Sequence, residues 1–247
     1  MTRQKLGKLD LFRVFLRVLF FQGLLNRRGM QNLALANALS AAGPLAGTND
    51  NSLLLRHLTF FNCNPNFAPL IIGGLLRLEE ERLDGKPVSE TDIERFKKSL
   101  ASPLAAMGDM LFLGALKPLA LTFACIFAIY IIPIGLLAVF LIYNVTIISC
   151  RLWGIYFGYA KGWELVEVFS GSRFQRILGI VQSLGAAIGG VLVGVVFHRF
   201  PLHGQWMMVL GSVLTVLALY LLKRDVPASW LAIILFPVSA LFTSIFA

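Results

Sequence analysis

The chain has 247 residues, 57% of them hydrophobic and 14% charged, with a mean hydropathy of +0.76. A soluble domain carries about 25% charged residues, so this composition excludes an ordinary soluble enzyme or binding domain and points to an integral membrane protein embedded in a lipid bilayer. The net charge of +9 sits beside apolar segments, so it reads as loops kept in the cytoplasm; no nucleic acid is expected as a partner.

The first segment is "LFRVFLRVLFFQGLL" (11–25). Arg13 and Arg17 share one helical face, which predicts an amphipathic helix lying at the membrane surface. The same arginines interrupt the unbroken apolar core of about 7–15 residues that a cleaved leader needs, so no cleaved leader is expected. Gln22, Asn26 and Gln31 are polar interruptions of apolar sequence, readable as helix–helix hydrogen-bonding groups or as site groups. Residues 40–51 form a Gly/Pro/Asn/Asp loop.

Next comes "HLTFFNCNPNFAPLIIGGLLRLEEE" (57–81). Its apolar run from Phe67 to Leu76 is too short to span a bilayer, which takes about 20 residues, and too apolar for a surface loop. It predicts a re-entrant helical hairpin over 58–76 with its tip near Asn62 to Pro65. Asn62 and Asn64 offer donors and acceptors without charge, which suits a sugar or other polyol. Asparagine before Pro65 is equally a turn signal. Glu79, Glu80 and Glu81 read as a solvated face or a dock for a cytoplasmic partner. Residues 79–98 have soluble character, with a turn at Asp84–Pro87 and a capping box expected from Thr91 and Glu94.

"PLAAMGDMLFLGALKPLAL" (103–121) reads as a broken apolar segment. Such segments at membrane depth must be buried in protein or line a wet cavity, and they point to transporter sites. A carboxylate there costs about 2.5–3.5 kcal/mol on insertion, so Asp109 is a candidate site residue. A helix cap after Gly108 is its alternative. Lys117 either pairs with Asp109 or snorkels to the interface.

Between Lys117 and Arg151 no residue is charged. Pro133 cannot continue a helical ladder, so two spans with a tight turn near Ile132–Gly135 are expected. Three more spans follow at 177–197, 207–222 and 229–246. Lysine and arginine counts put 151–176 and 223–225 in the cytoplasm, hence the N-terminus inside and the C-terminus outside. Gly185 with Gly189 and Gly190 with Gly194 give two GxxxG spacings and predict a close helix contact. The expected fold is all-α and polytopic, with about five transmembrane helices. An N-terminal region (1–102) precedes a transmembrane helical domain (103–247). Cys63, Cys125 and Cys150 read as small apolar fillers. No metal, cofactor or nucleophile motif is found.

Four of these stretches together resemble the IID component of the mannose/fructose/sorbose family of phosphotransferase-system permeases, over about residues 11–200. "FFQGLLNRRGMQNL" is similar to the family's QG-x-x-N-x-x-x-MQ through Gln22, Gly23, Asn26, Met30 and Gln31. "RHLTFFNCNPNFAPLIIGGLLRLEEE" resembles its H-x-x-FFN-x-x-P followed by glutamates, and "PLAAMGDMLFLGALKPL" its PLAG-x-GD-x-x-FWG-x-x-RP. "GIYFGYAKGWELVEVFSGSRFQRI" resembles its G-x-x-x-GY-x-x-G…LSG…Q. The chain departs from the family at four positions: Leu25 and Arg28 stand where Trp-Asn-Tyr-Glu is usual, Asn64 where FFNTHP or FFNTQP has His or Gln, and Leu113 where FWG has its tryptophan.

The resemblance implies a IIC membrane partner that completes a hexose pathway and a trimer of such pairs in the bacterial inner membrane. It implies soluble IIA and IIB proteins that supply the phosphoryl group from their own histidines. This chain then has no catalytic residue of its own and no cofactor. A component that kept the fold for a regulatory or receptor role is the alternative.

Overall fold

The computed structural model describes residues 5–43, 52–170 and 179–190 except 182 and 186. The chain divides into two units after Leu192, and all of the second lies outside the described residues, as do the expected spans at 207–222 and 229–246. The expected span at 177–197 is described only in part, where 179–181, 183–185 and 187–190 are helical.

The described residues are all-helical, with isolated bridges in place of strands. Helix α1 is Lys8–Leu19, followed by a 3-10 turn at Phe21–Leu24. It is amphipathic, as expected: Leu11, Val14, Phe15 and Val18 are buried. Arg17 reaches the next helix, α2 (Asn32–Leu39), donating to the Asn37 carbonyl at 2.8 Å. A short α3 (Ser52–Arg56) leads into an irregular segment at 57–67, and α4 spans Ala68–Leu83. The helical hairpin expected over 58–76 is thus a loop and one helix.

The half-length apolar run is explained by burial inside protein. From Ala68 to Leu76 every residue of α4 is buried, enclosed by α1, α2 and the later helices. Two of the three glutamates that end the run, Glu79 and Glu80, are buried and not on a solvated face. Glu80 is buried, and its two oxygens accept from the Leu6 N–H at 2.7 Å and the Tyr159 hydroxyl at 2.6 Å. Glu79 is 1% exposed and meets His57 Nε2 at 2.8 Å. Burial pushes His57 below its ordinary range, outweighing the pull of Glu79, so a neutral imidazole donates to the carboxylate. Glu81 reaches outward to Arg77 and Lys86. Buried charges must be paired, and these pairs fasten the N-terminus and the 57–67 loop to α4.

A turn at Gly85 (φ +81) leads to α5, Glu90–Gly108. Its capping box is Ser89 with Asp92, two residues before the expected Thr91 and Glu94. The Asp92 N–H donates to Ser89 Oγ and the Ser89 N–H to Asp92 Oδ2, both at 3.1 Å. The segment expected to break at 103–121 is continuous. Helix α5 passes through Pro103 into a π-helical stretch at Asp109–Leu116 and on into α6, Lys117–Ile129, making 40 helical residues. The wide π turns end just before Pro118, whose ring and missing N–H do not fit a regular ladder.

The expected tight turn is present at 130–132, with Ile131 at φ 53. Helix α7 follows, Pro133–Lys161, then a 3-10 turn at Gly162–Glu164 and a short α8, Leu165–Ser170. Two helical runs, Glu90–Ile129 and Pro133–Phe169, are long and apolar enough to cross a membrane. Ile131, Ile134, Phe140 and Ile142 are exposed around their shared hairpin.

Helix α7 lies against α4 in the same chain direction, with glycine at each crossing point. A Cβ on Gly158 would lie 2.1 Å from the Leu70 carbonyl oxygen, and one on Gly73 2.2 Å from that of Ile155. Gly154 and Gly162 continue the row against Pro69 and Arg77. The close approach expected of Gly185, Gly189 and Gly190 is not seen among the described residues, where nothing lies within 4 Å of their Cβ positions. Gly194 lies outside them.

Gly158→Ala should therefore force α4 and α7 apart, at an overpacking cost of about 1–3 kcal/mol. Thermal unfolding in detergent should show a lower midpoint than wild type. Gly23→Ala, where nothing lies within 4 Å, should not.

Candidate functional site

Two loops lie side by side at the N-terminal end of α4. Asn26 folds the first by accepting from the Gly29 N–H at 2.8 Å, and Met30 adopts a left-handed φ of 55°. The Gln31 N–H donates to the Phe61 carbonyl at 2.8 Å and the Phe61 N–H to that of Gly29 at 3.2 Å. Gln31 Oε1 then accepts from the Cys63 N–H at 2.9 Å. These bonds hold 61–66 over the α5–π junction and against α7.

The result is a cavity of about 400 Å³. Five of the seven expected site residues line it: Gln22, Gln31, Asn62, Asn64 and Asp109. Asn26 does not. Its amide braces the turn, donating to the Met30 carbonyl at 3.1 Å and to Asn32 Oδ1 at 2.7 Å. Lys117 is exposed on α6 and also outside the cavity. Asp109 accepts instead from Asn64 Nδ2 at 2.8 Å. It sits inside a continuous helix and does not start one, so the helix cap is not its role. A larger cavity of about 880 Å³, at Arg56, His57, Glu90, Glu94 and Lys98, is crossed by ion pairs and holds none of the expected residues.

Two polar lining residues were not singled out from sequence as site residues, Asn66 and Arg151. Arg151 Nε donates to Asn66 Oδ1 at 2.9 Å. The Asn66 N–H donates to Asn64 Oδ1 at 2.9 Å, and Asn64 Nδ2 to Asp109. One hydrogen-bonded chain therefore runs from a guanidinium to a carboxylate through two asparagines. Gly108 makes room for it, since a Cβ there would lie 2.4 Å from Asn64 Cβ. The sequence signal for the missed pair was their register: Asn66 and Arg151 each lie seven residues before a crossing glycine, Gly73 and Gly158. The cavity wall thus offers amides, one carboxylate and one guanidinium. That set can hydrogen-bond an uncharged, hydroxyl-rich molecule, and it includes no evident nucleophile. Cys63 is buried, and burial pushes its thiol up to about 12. Among the described residues no cluster of His, Cys, Asp or Glu could hold a metal.

The described residues are all-helical, with two membrane-length apolar helices beside a polar-lined cavity. Comparison with known proteins identifies the chain's kind. The family described as "PTS system mannose/fructose/sorbose family IID component" matches residues 5–246. The mannose-specific EIID component of the phosphotransferase system of Escherichia coli K12 is 32% identical over 196 residues, covering 78% of this chain and 69% of its own. The sorbose-specific EIID component of Lacticaseibacillus casei is 30% identical, covering 77% and 69%. Among solved structures, a cryo-EM structure of the mannose transporter ManYZ with microcin E492 matches with a TM-score of 0.62 at 26% identity, over 98% of this chain and 97% of that one. Another, described as a membrane protein, matches with a TM-score of 0.78 at 26% identity, over 98% of both chains. The chain belongs to the mannose/fructose/sorbose family of phosphotransferase-system IID components, which are membrane proteins.

A thiol with a pKa of about 12 stays protonated through neutral and mildly alkaline pH. Maleimide labelling at Cys63, followed by mass spectrometry between pH 7 and 9, should be slow and nearly flat. An exposed cysteine, with a pKa of about 8.5, would instead label faster as pH rises.

Proposed function

We propose that this chain is the IID half of a hexose permease, pairing with a IIC membrane subunit to form the sugar path. Uptake is coupled to phosphorylation by soluble IIA and IIB proteins. The observation that carries this reading is the gathering of Gln22, Gln31, Asn62, Asn64 and Asp109 in one cavity. Neutral amides with one carboxylate match the many hydroxyls of a sugar. The relatives are named for mannose, sorbose and fructose, all hexoses.

The cavity is open at one side, with exposed Leu25 and Leu113 on its lining and exposed Phe60 and Met110 beside lining residues. Large apolar patches at the mouth of a polar cavity mark a surface that another protein covers. We assign that cover to the IIC subunit. The exposed hairpin of α6 and α7 then meets lipid or the same partner. The assembly is a trimer of IIC–IID pairs in the bacterial inner membrane, with the N-terminus cytoplasmic and the C-terminus outside.

The alternative role, a component that kept the fold and lost transport, draws on the same two leucines. Leu25 and Leu113 stand where the family pattern carries an aromatic, and both line the cavity. A direct test separates the two. Asp109→Asn keeps an acceptor for Asn64 but removes the charge. Charge-assisted hydrogen bonds contribute about 1.5–3 kcal/mol, so hexose uptake by the IIC–IID complex in vesicles should fall about ten- to a hundredfold with assembly intact. Undiminished uptake would remove Asp109 from the sugar path. Absence of hexose uptake by the wild-type complex would favour the regulatory role.

A further inference from the structure

We propose that Arg151 is a positioning residue. It turns the Asn66 amide so that the Asn66 NH2 donates to a ligand hydroxyl in the cavity, an inference that rests on the sugar-permease reading.

The two ends of the hydrogen-bonded chain offer opposite chemistry. A guanidinium carries only donors and an ionised carboxylate only acceptors. Arg151 therefore forces Asn66 to present Oδ1, and Asp109 forces Asn64 to present Nδ2. The remaining link fits both: Asn64 Oδ1 is free to accept, and the Asn66 N–H, a fixed donor, supplies it at 2.9 Å. All three bonds point from Arg151 toward Asp109, so neither amide can flip without setting donor against donor or acceptor against acceptor.

The consequence falls on Asn66 Nδ2. It has no hydrogen-bond partner among the described residues, although Asn66 is only 9% exposed and lines the cavity. The residue is largely buried while its NH2 stays reachable from the cavity, so a ligand hydroxyl or water can take its protons. Arg151 has no carboxylate partner among the described residues either, and its described side-chain bond goes to Asn66. A guanidinium on the apolar helix α7 that pairs with an amide, not an acid, is placed to orient that amide. The bond is charge-assisted and so holds the orientation more firmly than a neutral donor would.

The test uses the IIC–IID complex in vesicles and the KM and kcat for labelled hexose. Arg151→Met, which removes the donor, should raise KM about tenfold, the value of one hydrogen bond, with little change in kcat. Arg151→Lys, which keeps one charged donor, should recover most of that loss. Asn66→Asp keeps the shape and the bond to Arg151 but deletes the NH2, and should raise KM as much as Arg151→Met does. Combining Arg151→Met with Asn66→Asp should add little to either alone. Should Arg151→Met fail to assemble, Asn66→Asp decides alone. A normal KM for Asn66→Asp overturns the proposal, as does equal impairment by Arg151→Lys and Arg151→Met. A wild-type complex that takes up no labelled hexose overturns the permease reading itself, and the proposal with it.

Discussion

Backbone lies directly against backbone where α4 and α7 cross, and the remaining arrangement depends on that contact. Gly158 and Gly73 permit it, and Gly154 and Gly162 extend it by one turn on either side. Small residues at such a spacing let helices approach within reach of each other's main chain. The crossing also sets a register. Two turns before it, Arg151 meets Asn66; beyond it, Tyr159 meets Glu80 and Gly162 meets Arg77. The cavity and the internal ion pairs lie on opposite sides of one glycine contact.

The buried charges complete what the glycines begin. The loop that presents Asn62, Asn64 and Asn66 is tied at one end by His57 to Glu79 and along its middle by Phe61 to Gly29 and Gln31. Lys97, 1% exposed on α5, is paired with Glu94 at 2.6 Å and donates to Thr59 of the same loop. Breaking such a pair by removing one partner leaves an uncompensated buried charge, which costs about 3–5 kcal/mol. A loop held this way is a rigid platform, which a binding site needs if its amides are to keep their orientation.

Much of this was legible in the sequence, and what was not has a physical cause. The turn at 130–132, the amphipathic α1 and the absence of strands among the described residues followed from proline, periodicity and composition. Five of the seven polar residues singled out in apolar sequence line one cavity, while Asn26 braces a turn and Lys117 faces outward on α6. Three expectations failed where tertiary packing overrides local signals. The run at 67–76 was read against a lipid background, yet protein surrounds it. Glu79 and Glu80 looked like surface charge because their partners, His57, Tyr159 and the Leu6 amide, are distant in sequence. The segment 103–121 read as broken, and the helix continues instead, with π turns between Gly108 and Pro118. Arg151 passed as a loop cation for want of the register that sets it beside Asn66.

The proposed role makes the cavity at the N-terminal end of α4 this chain's share of a sugar path completed by a second membrane subunit. An experimental structure of the chain bound to its IIC partner and a hexose tests it most directly. The account predicts sugar hydroxyls within hydrogen-bonding distance of Asn62, Asn66 and Asp109, with the apolar mouth at Leu25 and Leu113 covered by IIC. A hexose held entirely by IIC, with this cavity filled by protein side chains, would contradict it.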